Sequence, residues 1–159
     1  MKIIAIANQK GGVGKTTTAA SLAAEFAISG LRTLIIDADP QANATKMFLR
    51  EDEVTTSLSE VLLSSPNQVP SSITEKRLTT VLEGLDIIPA TISLANFDRE
   101  PPLSIKKLKS TLSKVENDYD LVVIDTPPNF GLLLSAALIA AHSVIIPVQA
   151  APFALSGLN

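Results

Sequence analysis

Lys10-Gly11-Gly12-Val13-Gly14-Lys15-Thr16-Thr17 is the stretch with the plainest chemistry in the sequence. Its glycines let the backbone curl until successive N–H groups point inward, a geometry that cradles phosphate oxygens. Lys15 offers a point charge for the β- and γ-phosphates of a nucleotide, and the Thr16 hydroxyl suits a Mg²⁺ ion. A helix opening near Thr16 adds the positive end of its dipole. The common form of such a loop has glycine six positions before the lysine, where Gln9 stands here, so this is a variant carrying an additional lysine, Lys10. A glycine turn between a strand and a helix can also bind nothing. Gly-Lys-Thr directly after an apolar run and before a helical one is, however, the context that phosphate binding requires.

Two further segments carry carboxylates. Ile36-Asp37-Ala38-Asp39-Pro40-Gln41-Ala42-Asn43 closes an apolar run with two aspartates at i and i+2. One such aspartate could merely cap the next helix. A pair beside a phosphate loop suits a hydrated Mg²⁺ and an attacking water better. Val122-Val123-Ile124-Asp125-Thr126-Pro127-Pro128 ends a second buried run in aspartate, the pattern of a magnesium-binding carboxylate on a central strand.

These residues need elements to hold them. Lys2–Ala7, Thr33–Asp37, Leu85–Pro89, Leu121–Asp125 and Ser143–Val148 read as short buried strands. Thr16–Ser29, Ala42–Leu49, Ser57–Leu63, Ile105–Val115 and Leu132–Ala141 read as helices, with Gly30 as a stop and Ser57-x-x-Glu60 as a capping box. The first strand, helix and strand form a βαβ unit, which implies parallel pairing of the two strands. Residues 64–80, rich in Ser, Thr and Pro, read as a surface connection. Lys106, Lys107, Lys109 and Lys114 crowd one helix and read as a solvated face. The expected fold is α/β with a mostly parallel sheet flanked by helices, and in such sheets ligands bind beyond the carboxyl ends of the strands.

Composition narrows the function classes. The 159 residues are 46% hydrophobic and 18% charged, which excludes disorder over most of the chain. With no cysteine, a disulfide framework, a thiolate nucleophile and a cysteine-held metal are all excluded. Aromatic residues make up 4% and tryptophan is absent, which disfavours a stacking surface for single-stranded nucleic acid, and the net charge of −3 gives no sign of nucleic-acid binding. No Asp, Glu, Lys or Arg occurs after Asp125, but Pro127, Pro128, Pro147 and Pro152 interrupt that apolar stretch. A spanning helix needs about 20 apolar residues, so the stretch reads as buried core and the chain as cytoplasmic.

Taken together, Asn8-Gln9-Lys10-Gly11-Gly12-Val13-Gly14-Lys15-Thr16-Thr17-Thr18 and Ile36-Asp37-Ala38-Asp39-Pro40-Gln41-Ala42-Asn43-Ala44-Thr45 resemble the ParA-type (Soj-like) partition ATPases with a deviant Walker A loop. Ile124-Asp125-Thr126-Pro127-Pro128, Pro147-Val148-Gln149, Ile88-Pro89-Ala90 and Leu94-Ala95 are similar to that family's later motifs. The resemblance implies a P-loop NTPase fold and a magnesium-dependent ATPase that dimerises with ATP between its subunits. It makes Gly11, Gly12, Val13, Gly14, Lys15, Thr16 and Thr17 the ATP-binding loop. Lys10 becomes the lysine that reaches the partner's nucleotide, and Lys15 and Asp39 join it as catalytic residues, Asp39 positioning the water. Thr16, Asp37 and Asp125 become the magnesium set. A ParB-type partner, non-specific DNA bound through the full-length protein, and chromosome or plasmid partition in a cytoplasmic, nucleoid-associated setting are implied, with no membrane.

MinD-like ATPases share the loop but usually lack Asp-Pro-Gln-x-Asn and carry a membrane-binding amphipathic helix, which is not visible here. P-loop enzymes of small-molecule metabolism are the other alternative, and they are not expected to carry that segment either. Members of the resembled family are longer, and Ala154–Asn159 reads as the opening of a helix. Residues 1–159 are therefore expected to be one domain, incomplete at its C-terminus, with exposed apolar surface around residues 132–159.

Overall fold

The computed structural model describes residues 1–64, 73 and 77–150. Six strands form one sheet: β1 (Lys2–Ile6), β2 (Thr33–Asp37), β3 (Leu78–Thr79), β4 (Leu85–Ile88), β5 (Leu121–Asp125) and β6 (Ser143–Ile145). Their order is β3-β4-β2-β5-β1-β6, parallel throughout except for β3 against β4. All residues of β2 and β5 are buried, as strands covered on both faces must be.

Side chains alternate between two apolar layers. Ile35, Ile87 and Val123 face α1 (Lys15–Ile28), which meets them with Ala19, Ala23 and Ala27. These alanines, one turn apart, let the helix sit close to the sheet, while Leu22 and Phe26 are only partly buried at its flank. Leu34, Ile36, Val122 and Ile124 face the opposite layer. There they pack against α3 (Leu58–Leu62), α4 (Lys107–Leu112) and α5 (Leu132–Ala140). A short helix, α2 (Asn43–Phe48), follows β2. Helix α1 ends in a paired reverse turn, with Gly30 N–H on Ala27 O at 2.9 Å and Leu31 N–H on Phe26 O at 3.1 Å. Gly30 adopts the φ of 88° that this stop requires.

The structure corrects several expectations. β1 and β2 run parallel but are not neighbours: β5 lies between them and pairs with both, and its four apolar residues before Asp125 suit that buried place. Within residues 64–80, Leu78–Thr79 pairs with Ile87 and Asp86 as an edge strand, while residues 65–72 and 74–76 lie outside the described residues. The expected helix at Ile105–Val115 is α4 flanked by 3-10 turns at Pro102–Lys106 and Ser113–Val115. Ile92–Arg99 is a 3-10 segment, whose buried Leu94 and Phe97 follow the three-residue period of that helix. β6 ends at Ile145 rather than Val148, just short of Pro147, which has no N–H to donate. The expected capping box at Ser57-x-x-Glu60 is, by contrast, present at the start of α3, where Glu60 accepts the Ser57 N–H at 3.1 Å; the Ser57 hydroxyl also lies 2.6 Å from Ser59 Oγ. Lys107 leaves the solvated face to bond Leu62 O at 2.8 Å and Glu100 at 3.1 Å.

Among the described residues, no helix is long and apolar enough to cross a membrane. Apolar surface is exposed where expected within 132–150, at Leu138, Ile139, Val144, Ile145, Ile146 and Val148. Residues 151–159, including the expected helix opening, lie outside the described residues.

Candidate active site at the carboxyl ends of the strands

β1, β5 and β2 are adjacent and parallel, so their carboxyl ends bring three separate segments of sequence to one edge. The loop after β1 curls through Gly12 at φ 73° and Gly14 at φ 91°, backbone conformations that favour glycine. A Cβ built on Gly11, Gly12 or Gly14 meets nothing within 4 Å, so the loop backbone faces open space. That space is a cleft of about 560 Å³ lined by the loop from Gly11 to Thr17, by Asp39 and by Pro128.

The sequence-predicted residues divide by position. Gly11, Gly12, Gly14, Lys15, Thr16, Thr17 and Asp39 line the cleft. Val13 is buried beneath it, and Lys10 is exposed with its side chain outside the lining. Lys15, 7% exposed, donates to the Lys10 carbonyl at 3.1 Å and so lies against its own loop. Burial lowers its pKa, while Asp125 and Asp39 oppose that shift.

Asp37 and Asp125 sit side by side in register on β2 and β5, both fully buried. Their surroundings differ. The Asp37 carboxylate accepts the Asp39 N–H at 3.1 Å, and the Thr45 N–H and hydroxyl at 2.8 Å each. Neither Asp125 oxygen has a hydrogen-bond partner among the described residues. Burial pushes the Asp125 carboxyl up to about 7; the Thr16 hydroxyl pulls it back, Asp37 and Asp39 push it further and Lys15 opposes. Burial also raises Asp37, against the three donors on its oxygens.

A buried carboxylate without donors costs free energy unless a cation or proton satisfies it. Asp125 beside Thr16, with an open glycine loop next to them, therefore fits the phosphates and hydrated magnesium of a nucleotide.

Sequence reasoning left several site residues without a role. Gln41, Asn43, Met47 and Pro128 also line the cleft. Asn8 donates to Pro147 O at 2.8 Å and accepts the Lys10 N–H at 2.9 Å, and Gln149 donates to Gly12 O at 2.9 Å, so the segment after β6 braces the loop. Proximity of Asn8 and Pro147-Val148-Gln149 to the strand ends was the available signal.

A parallel sheet feeding a glycine loop and a lysine-led helix defines a P-loop nucleotide triphosphatase fold. The chain belongs to the family described as "AAA domain", whose pattern matches residues 1–159. It is 44% identical over 162 residues to "Sporulation initiation inhibitor protein Soj" of Bacillus subtilis (strain 168), covering 99% of this chain and 62% of the relative. Identity to "Chromosome partitioning protein ParA" of Myxococcus xanthus (strain DK1622) is 42%, covering 99% and 56%. A solved structure of cobyrinic acid a,c-diamide synthase from Mycobacterium smegmatis, with bound ATP analogue and magnesium, superposes with a TM-score of 0.86 at 37% identity. That match covers 96% of this chain and 62% of the other. The chain thus spans 56–62% of the length of these similar proteins.

Proposed function

We propose that the protein is a magnesium-dependent ATPase of the ParA type. The observation that carries the reading is the convergence of the open glycine loop, Lys15, Thr16 and Asp39 on one cleft, with the buried Asp125 beneath it close enough to shift Lys15 and to feel Thr16. The N–H groups of Gly11–Thr17 and the Lys15 ammonium bind and orient the phosphates. Thr16 and Asp125 would hold a magnesium ion, which would supply charge neutralisation at the phosphates. Asp39 orients the attacking water. Lys10, exposed at the rim, reaches the nucleotide of a second subunit in an ATP-dependent homodimer. By likeness to the Soj and ParA relatives, the full-length protein works in the cytoplasm on the nucleoid. There it binds DNA without sequence preference and is stimulated by a ParB-type partner, for chromosome or plasmid partition.

Calorimetric titration with ADP and a non-hydrolysable ATP analogue, with and without MgCl₂, tests the site. Lys15→Gln should weaken binding about 10-fold or more, the scale of one lost charged contact. Unchanged affinity in that variant would contradict the loop assignment. Asp39→Ala should keep binding and lose hydrolysis.

A second reading, an ATP-using enzyme of small-molecule metabolism, is favoured by the synthase likeness. ATP turnover stimulated by cobyrinic acid and indifferent to DNA would select it.

A further inference from the structure

We propose that Asp37 and Thr45 are positioning residues that clamp the Asp39 turn, and that Asp37 stands outside the magnesium shell. The proposal deepens the hydrolytic role assigned above to Asp39 and rests on it.

Asp37 and Asp125 share residue type, depth and strand register, so any difference in role must come from what surrounds them. A carboxylate oxygen has two lone pairs. On Asp37 Oδ2 both are taken, by the Thr45 N–H and the Thr45 hydroxyl at 2.8 Å each, and Oδ1 takes the Asp39 N–H at 3.1 Å. Three of the four lone pairs on Asp37 are thus committed to protein donors and one remains on Oδ1, whereas at Asp125 none is committed to a hydrogen bond.

Thr45 is the hub of the clamp. Its hydroxyl donates to Asp37 and accepts the Ala90 N–H at 2.9 Å, which ties the turn to the chain leaving β4. Thr45 is 3% exposed, so no water stands in readily if the hydroxyl is lost. The turn itself is closed by Ala42 N–H on Asp39 O and by Gln41 N–H on Asp39 Oδ1, each at 2.9 Å. Ala42 sits at φ 55°, an uncommon conformation for a residue with a side chain, and the surrounding hydrogen bonds must hold it. Asp39 is therefore oriented from behind by a network in which it is the one carboxylate that reaches the cleft.

The test uses the 159-residue chain with MgADP, Mg-AMPPNP and MgATP as probes. Thr45→Val removes the hydroxyl and keeps the backbone donor. It should speed hydrogen exchange at the Ala90 and Asp39 amides about 10-fold or more and lower kcat about 10-fold. KM and the magnesium dependence of nucleotide binding should stay as in the parent, and Thr45→Ser should restore both exchange and kcat. Asp37→Asn should likewise preserve magnesium-dependent binding, while Asp125→Asn should abolish it. Two results would overturn the proposal: parental exchange and kcat in Thr45→Val, or loss of magnesium dependence in Asp37→Asn equal to that in Asp125→Asn. Should the 159-residue chain bind no nucleotide, the phosphate-site assignment fails for this segment, and the exchange measurement alone decides whether the clamp exists.

Discussion

Asp125 ends a strand buried along its whole length, and nothing among the described residues donates to its carboxylate. Its pKa of about 7 in the folded chain lies well above the ordinary carboxyl value near 3.8. Between those values the unfolded chain binds fewer protons than the folded one, so the stability of the ligand-free protein falls as pH rises through that window. Asp125→Asn removes the ionisation. At about pH 8 the ligand-free variant should be more stable by up to about 4 kcal/mol, and the advantage should vanish toward about pH 4. Calorimetric melting across pH without magnesium checks this, and a constant difference across pH would count against it. The candidate residues were legible because Gly-Lys-Thr and strand-ending aspartates have few alternative uses. The division between Asp37 and Asp125 was not legible, since it depends on Thr45 folding back over the turn to reach Asp37.

At the scale of elements, α5 is held at its start by a residue distant in sequence. Asp98 accepts the Leu132 N–H at 2.7 Å and the Leu133 N–H at 3.3 Å, satisfying two amides that a helix start leaves without partners. A Cβ on Gly131 would stand 2.6 Å from the Asp98 carboxylate, so Gly131 is required by this approach and not by backbone angle. Gly131→Ala and Asp98→Ala should each destabilise the fold by about 1–2 kcal/mol, as the loss of a helix cap does. The double variant should cost little more than either alone, because both remove one interaction. Urea unfolding of the three variants measures it, and additive losses would refute the shared contact. Strands β1, β2 and β5 were legible as continuous apolar runs with clear stops, and β4 as a short apolar run interrupted by Asp86. The Asp98 cap and the Ile92–Arg99 3-10 segment were not, because neither repeats at the helical or strand period that sequence displays. The adjacency of β1 and β2 failed for a related reason: local order specifies direction, while a strand far along the chain, β5, takes the place between them.

Across the whole molecule, the two edges of the sheet differ. β3 is two residues long and its burial is partial, a modest edge. β6 carries Val144 and Ile145, followed by Ile146 and Val148, all exposed, and among the described residues it pairs with β1 alone. An exposed apolar edge strand invites pairing between chains. The 159-residue chain should therefore self-associate as its concentration rises, and Ile146→Lys should reduce that association several-fold by light scattering. Equal scattering in the variant would place the association elsewhere. The interior position of β5 has a further consequence, for synthesis. The phosphate loop follows β1 and the Asp37–Asp39 turn follows β2, yet the strand that joins them begins only at Leu121. On a ribosome both halves of the cleft leave the exit tunnel early and wait apart. Nucleotide cannot template the nascent chain until β5 emerges and slides between them, so the two halves of the pocket wait for about 80 residues of intervening chain.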